Sequence, residues 1–130
     1  MMERDNVIAR KSKSFALRII RLDQFLRGEK REYVLSRQVL RSGTSIGANV
    51  REAARAQSSA DFYAKLTVAL KEADETAYWL ELLHESGYLN RQGFESLYKD
   101  CQELIRLLTS ITKTQREQMQ AGRKGPEKSI

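Results

Sequence analysis

A single proline, Pro126, stands in 130 residues, and the 125 residues before it contain none. Proline interrupts helices and ladders, and with glycine it supplies most tight turns. Only seven glycines accompany it. A sandwich or barrel needs a turn about every ten residues, so this chain lacks the punctuation for one. It is suited to long helices joined by a few short connections. With 41% apolar and 31% charged residues, it is too apolar for a disordered chain and too charged for a membrane one. Its unbroken apolar runs reach about four residues, as in Ala77-Tyr78-Trp79-Leu80. No membrane span or secretory signal can be read from that, so a cytoplasmic protein is expected.

Helical periodicity marks four segments. In the first, over about residues 6–27, Ile8, Phe15, Ile19, Leu22 and Leu26 stack on one face. Gly28 is expected to end it in the left-handed conformation. The second starts near Glu32 and carries Leu35, Val39, Ser42, Ile46, Asn49 and Ala53. The third carries Phe62, Leu66, Ala69, Ala73, Thr76, Leu80 and Leu83, with Ser58 or Ser59 as N-cap and Gly87 closing it. The fourth, over about residues 92–115, carries Phe94, Leu97, Cys101, Leu104, Leu108 and Ile111, with Asn90 as cap. The expected fold is all-α, an antiparallel up-down four-helix bundle over residues 1–115 with a frayed tail over 116–130.

Two segments have apolar residues off the stripe. Leu17 and Ile20 lie roughly opposite it on the first helix, and Val68, Tyr78, Trp79 and Leu82 lie off it on the third. A lone bundle needs one apolar stripe per helix, so a second face predicts further burial, most economically by self-association into a closed homo-oligomer.

Leu40–Asn49 is small and polar, with Gly43 and Gly47 one turn apart. As a phosphate-cradling loop it is poor: no lysine follows the glycines, and the stripe passes through Val39, Ile46 and Ala53. Close approach of a neighbouring helix at Gly43 and Gly47 explains it better, and a bulky residue at Gly47 is then expected to clash. Ser42 and Asn49 on the stripe each require a hydrogen-bond partner.

This segment resembles the four-helix-bundle family encoded in intervening sequences of bacterial 23S ribosomal RNA genes. The resemblance continues through Asn49-Val50-Arg51-Glu52-Ala53, Asp61-Phe62, Lys65-Leu66, Ala69-Leu70-Lys71-Glu72-Ala73, Glu75-Thr76 and Tyr78-Trp79-Leu80, covering roughly residues 15–89. It implies short bundles assembled into homopentameric, barrel-like rings. A structural relative is the accessory variability determinant of diversity-generating retroelements, a basic pentamer that binds nucleic acid and a reverse transcriptase. The resemblance implies a fold and an assembly, and no catalytic residues.

Catalytic chemistry finds little purchase. One histidine and one cysteine exclude a disulfide framework and any zinc site built from Cys and His in one chain. Glu81 and His84 have the Glu-x-x-His spacing of di-iron bundles, but there is no second pair, and Glu81 is expected to project away from the stripe. His84 as a phosphoacceptor has no supporting neighbours in Glu85-Ser86-Gly87. Cys101, on the fourth stripe, is expected in the core. Glu72, Asp74, Glu75, Glu81 and Glu85 suggest a solvated or ion-paired face. No metal, cofactor or enzymatic activity is expected.

Charge is more informative. The chain carries a net +6, but residues 57–89 carry −4. Arg37, Arg41, Arg51 and Arg55 form one stripe about 27 Å long on the second helix, facing away from Leu35 and Val39. It could track a phosphate backbone, or its arginines could pair with the glutamates of the third helix across a subunit interface. Lys99, Arg106 and Lys113 form an outward stripe on the fourth. Two functions follow. One is an oligomeric, non-enzymatic module binding RNA or DNA, able to serve as adaptor for a nucleic-acid enzyme. The other is a structural or protein-interaction module whose charges are used in subunit contacts. Neither involves a membrane.

Overall fold

The computed structural model describes the backbone of residues 3–124 and the side chains of residues 7–122. Four helices follow one another: α1 (Glu3–Gly28), α2 (Val34–Ala54), α3 (Ser59–Glu85) and α4 (Arg91–Lys124). No strand occurs among the described residues.

Local chemistry sets the ends. Ser58 Oγ accepts from the Asp61 N–H at 3.0 Å and starts α3, and Asn90 Oδ1 accepts from the Gly93 N–H at 2.8 Å and starts α4. Gly87, at φ 90°, reverses the chain after α3. The α1–α2 turn departs from expectation. Gly28 remains the last residue of α1, and Arg31 takes the left-handed conformation instead, at φ 51°. Glu32 then folds its carboxylate over the start of α2 and accepts from the N–H groups of Val34, Leu35 and Ser36 at 3.2, 3.0 and 2.8 Å. A negative charge there both satisfies orphan donors and suits the positive helix end.

Each helix packs on its chain neighbours, and α1 meets α4 to close the bundle. The pairings run antiparallel at every seam. Gly43 faces Ile19 and Gly47 faces Ser12 across α1–α2. Across α2–α3, Arg41 pairs with Glu72 and Glu52 with Lys65. Cys101 reaches Ala73 and Tyr98 reaches Glu81 across α3–α4, while Lys11 meets Glu103 and Arg18 meets Asp100 across α1–α4. The pairs α1/α3 and α2/α4 are diagonal across the bundle, their backbones separated by the shared core.

The stripes fill the core. All five expected residues of α1 are buried, as are Val39, Ser42, Ile46 and Ala53 of α2. Leu35 and Asn49 are only half-buried, and Ser36 and Val50 take the inner positions. On α3 and α4 every stripe residue is buried except Phe62 and Phe94, which are half-buried near the helix starts. The expected boundary at residue 116 is corrected in one respect. Helix α4 continues to Lys124, although its last buried side chains are Ile111 and Thr112. Lys, Gln, Arg, Glu, Met and Ala dominate this stretch, and a nucleated helix of such residues propagates without a buried face. The remainder of the expected tail, residues 125–130, lies outside the described residues.

Candidate nucleic-acid interface

The small-residue segment of α2 determines which face that helix presents. Leu40–Asn49 is helical throughout, so no loop is available there to cradle a phosphate. A Cβ on Gly43 would lie 2.8 Å from both γ-carbons of Ile19, whereas one on Gly47 would meet the Ser12 carbonyl oxygen at an ordinary 3.4 Å. The tight point is therefore Gly43. Opposite it, Ser42 Oγ and Thr76 Oγ1 lie 2.9 Å apart in full burial, and Thr76 Oγ1 also lies 2.7 Å from the Glu72 carbonyl. A hydroxyl has one proton, so with Thr76 donating to the carbonyl, Ser42 donates to Thr76. Asn49 satisfies its amide locally, on the Ser45 carbonyl at 2.9 Å and the Ser45 hydroxyl at 3.1 Å.

With these groups facing inward, Arg37, Arg41, Arg51 and Arg55 are all exposed. Arg41 differs from the others. Its guanidinium bonds Glu75 and lies 3.2 Å from Glu72, both in the same chain. The pairing anticipated between subunits is thus made, at Arg41, within one. The bond to Glu75 holds the Arg41 guanidinium above its already high ordinary value. The Trp79 indole N–H, 2.9 Å away, and then Arg41 hold the Glu75 carboxyl below the usual carboxylate range. Arg37, Arg51 and Arg55 make no ion pair among the described residues. Arg51 and Arg55 border a shallow cleft of about 490 Å³ against α1, lined also by Ala9, Gly47, Val50 and Ala54. Lys99, Arg106 and Lys113 are likewise exposed on α4 and make no ion pair among the described residues. Because α2 and α4 are diagonal, the two basic stripes face away from each other.

The apolar surplus divides in the same way. Leu17 and Ile20 are 48% and 38% exposed on α1, and Val68 and Tyr78 are 42% and 54% exposed on α3. Trp79 and Leu82 are half-buried within the chain. Trp79 packs against the core while its indole N–H serves Glu75, so these two are less free for a neighbour than their sequence positions suggested.

The candidate chemical groups are each committed elsewhere. Glu81 lies off the α3 stripe, half-buried, and is engaged by Tyr98 Oη of α4, which donates to it at 2.8 Å. His84 places Nδ1 2.9 Å from the Leu89 carbonyl and stacks on Phe94 at 4.5 Å. Cys101 is fully buried, and burial pushes its thiol up to about 12, so it holds its proton at neutral pH. Among the described residues no group of His, Cys, Asp or Glu is placed to hold a metal.

Sequence reasoning missed that Arg41, Glu72, Glu75 and Trp79 form one cluster. The signal was available: an antiparallel hairpin reflects positions about its turn, and a turn centred near residue 57 sends Arg41 to about residue 73.

These features define an all-α protein built as an up-down four-helix bundle, with a charged and apolar exterior. Residues 4–110 match the family described as 23S rRNA-intervening sequence protein, and the chain belongs to that family. It is similar to a crystal structure of a protein of unknown function from the S23 ribosomal protein family of Bacteroides thetaiotaomicron. The two are 56% identical with a TM-score of 0.84, over 85% of this chain and 98% of that one. No curated protein matches the chain. Among the described residues no helix is long and apolar enough to cross a membrane.

Proposed function

We propose that this chain is a non-enzymatic, cytoplasmic, oligomeric module that binds RNA or DNA through the outer face of α2. The observation that carries this is the contrast along one arginine stripe. Arg41 is used inside the chain, while Arg37, Arg51 and Arg55 are exposed and, among the described residues, have no carboxylate partner. Phosphates are the ligands such groups suit, as charge partners and, for arginine, as bidentate ones. A net +6 multiplied over several subunits would add a long-range field, and an adaptor role toward a nucleic-acid enzyme is compatible with it.

Assembly has its own support. Leu17 and Ile20 on α1 and Val68 and Tyr78 on α3 are exposed on diagonal helices, so one patch can meet the other on a second copy. Two different patches in contact make a heterologous interface, which closes into a ring when the rotation permits. The family resemblance implies five subunits.

The test is a salt titration of binding to RNA, single-stranded DNA and duplex DNA, with particle mass from native mass spectrometry. The expected slope of log K on log salt is about −0.7 per contacted phosphate for single strands and about −0.9 for duplex. Arg37→Glu with Arg51→Glu and Arg55→Glu should abolish duplex binding and leave the mass unchanged. If the mass falls instead, those arginines are subunit contacts. The structural-module reading, which the use of Arg41 by Glu72 and Glu75 favours, then takes over.

A further inference from the structure

The α1–α2 turn gathers aromatic and basic side chains that the α2 face does not include. Phe25 and Tyr33 are 40% and 46% exposed; of the other aromatics Tyr78 is exposed on α3, Phe15 is buried, and Phe62, Phe94, Tyr63, Tyr88, Tyr98 and Trp79 are half-buried. Each of the two has a cation over its ring. Lys30 Nζ lies 5.8 Å from the centre of Phe25, and Arg27 Cζ lies 5.7 Å from that of Tyr33. The turn holds Arg31 in the left-handed conformation, which side chains other than glycine rarely adopt.

Charge at this end is lopsided. Arg21, Arg27, Lys30 and Arg31 are exposed and have no ion pair among the described residues. Of the acidic residues nearby, Glu32 is engaged by three N–H groups of α2 and Asp23 keeps Oδ1 buried. Glu29 is the remaining exposed carboxylate of the turn. Between α1 and α4, starting at Phe25, opens a cleft of about 280 Å³ lined also by Leu22, Leu89, Leu97, Arg21 and Arg18. Arg18 is held there by Asp100 at 2.7 Å and Ser96 at 2.8 Å. This is smaller than a pocket for a drug-sized ligand.

We propose that this turn binds single-stranded nucleic acid by stacking unpaired bases. Phe25 and Tyr33 offer the ring faces. Arg21, Arg27, Lys30 and Arg31 meet the phosphates, and one base enters the cleft beside Phe25. Aromatic platforms interleaved with cations are how strands are held without reading their sequence. A concave cleft edged by arginines suits a base better than it suits a flat lipid surface, which calls for a projecting apolar tip. The proposal shares with the α2 reading the premise of a nucleic-acid ligand, but none of its residues.

The experiment uses the full chain and a short fluorescein-labelled oligothymidylate, read by anisotropy against salt. Phe25→Leu with Tyr33→Leu keeps apolar volume and removes the ring faces. Single-strand affinity should fall about tenfold or more, with the salt slope, duplex binding and particle mass unchanged. Arg27→Gln with Lys30→Gln should flatten the slope by about 0.7 per residue. The α2 triple variant should leave the leucine-sensitive component in place, so either surface can fail without the other. A strand carrying bromouracil should photocrosslink within residues 18–33 or at Leu89 and Leu97, which line the cleft. Unchanged oligothymidylate binding in the leucine variant overturns the proposal. So do equal losses on duplex, crosslinks elsewhere, an altered particle mass, or a loss seen only on anionic phospholipid vesicles.

Discussion

Helix α1 is fastened differently on its two sides. Toward α2 the contact is steric: Gly43 admits Ile19 at a distance that leaves no room for a methyl group, and Gly47 lies against the Ser12 backbone. Toward α4 apolar residues such as Phe15 and Leu104 also meet, and the polar contacts at the rim are made by long side chains. Lys11 reaches Glu103 at 3.2 Å and Arg18 reaches Asp100 at 2.7 Å, all four being roughly 34–43% exposed. A steric seam fixes separation and register together, because close-packed atoms cannot shift by a fraction of an ångström without loss. A seam of flexible ion pairs holds the helices over a range of separations and is screened by salt. The bundle is thus set by α2 and closed by α4.

Breaking the steric side should have the largest effect. Gly43→Leu is expected to lower stability by about 3 kcal/mol or more in urea denaturation, the upper end of overpacking costs. In an Ile19→Ala background the same change should cost at least about 1 kcal/mol less, since the two sites share one space. Gly47→Ala, with its Cβ at 3.4 Å from the Ser12 oxygen, should be neutral or stabilising by up to ~1 kcal/mol from helix propensity. Equal losses at both glycines would show that the seam is not focused at Gly43.

How far this was legible follows the same division. Periodicity identified the inward residues, because burial repeats with the helical turn. Asn90 was legible as a cap, and Ser58 as one of two candidates with Ser59, because short oxygen-bearing side chains suit that position. The turn after α1 was misjudged, since glycine's permissiveness does not oblige it to carry the positive φ that Arg31 carries. Helix α4 outlasted its stripe because propensity, which periodicity does not measure, sustains it. The segment holding Gly43 and Gly47 stood out, but not which glycine is tight, because that depends on the rotation of α1 and where it places Ile19. The arginine stripe was legible as a stripe. Its division into a paired Arg41 and unpaired Arg37, Arg51 and Arg55 depended on the α2–α3 register.

Acid should act on a third seam, the one between α2 and α3. Trp79 and Arg41 depress the Glu75 carboxyl, so its contribution is present above the unfolded carboxylate value of 4.5 and is lost as pH falls through the lower folded one. Melting temperature should therefore decline below about pH 4.5. Trp79→Phe removes the indole donor and should lessen the part of that decline owed to Glu75. The effect is small, about 4 °C or less, as expected of a solvent-accessible pair. An identical acid profile in Trp79→Phe would show that the indole does not hold the carboxylate. The inner seam of glycines and hydroxyls contains no titrating group and should be untouched.

The finest distinction comes from two double-mutant cycles, one on the buried hydroxyl pair between α2 and α3 and one on the ion pair between α1 and α4. One pairs Ser42→Ala with Thr76→Val, the other Arg18→Met with Asp100→Asn. The hydroxyl pair is fully buried, so its coupling should be about 1 kcal/mol and independent of salt, because no net charge is present to screen. The ion pair is partly exposed, so its coupling should be ~0.2–1 kcal/mol at low ionic strength. At about 1 M salt, where the Debye length falls to ~3 Å, it should approach zero. Arg18 also reaches Ser96, so the Asp100→Asn variant should retain part of the seam through that contact. If the Arg18–Asp100 coupling persisted in high salt, the α4 seam would be held by fixed hydrogen-bond geometry rather than by charge. The contrast between the two sides of α1 would then reduce to one of side-chain length.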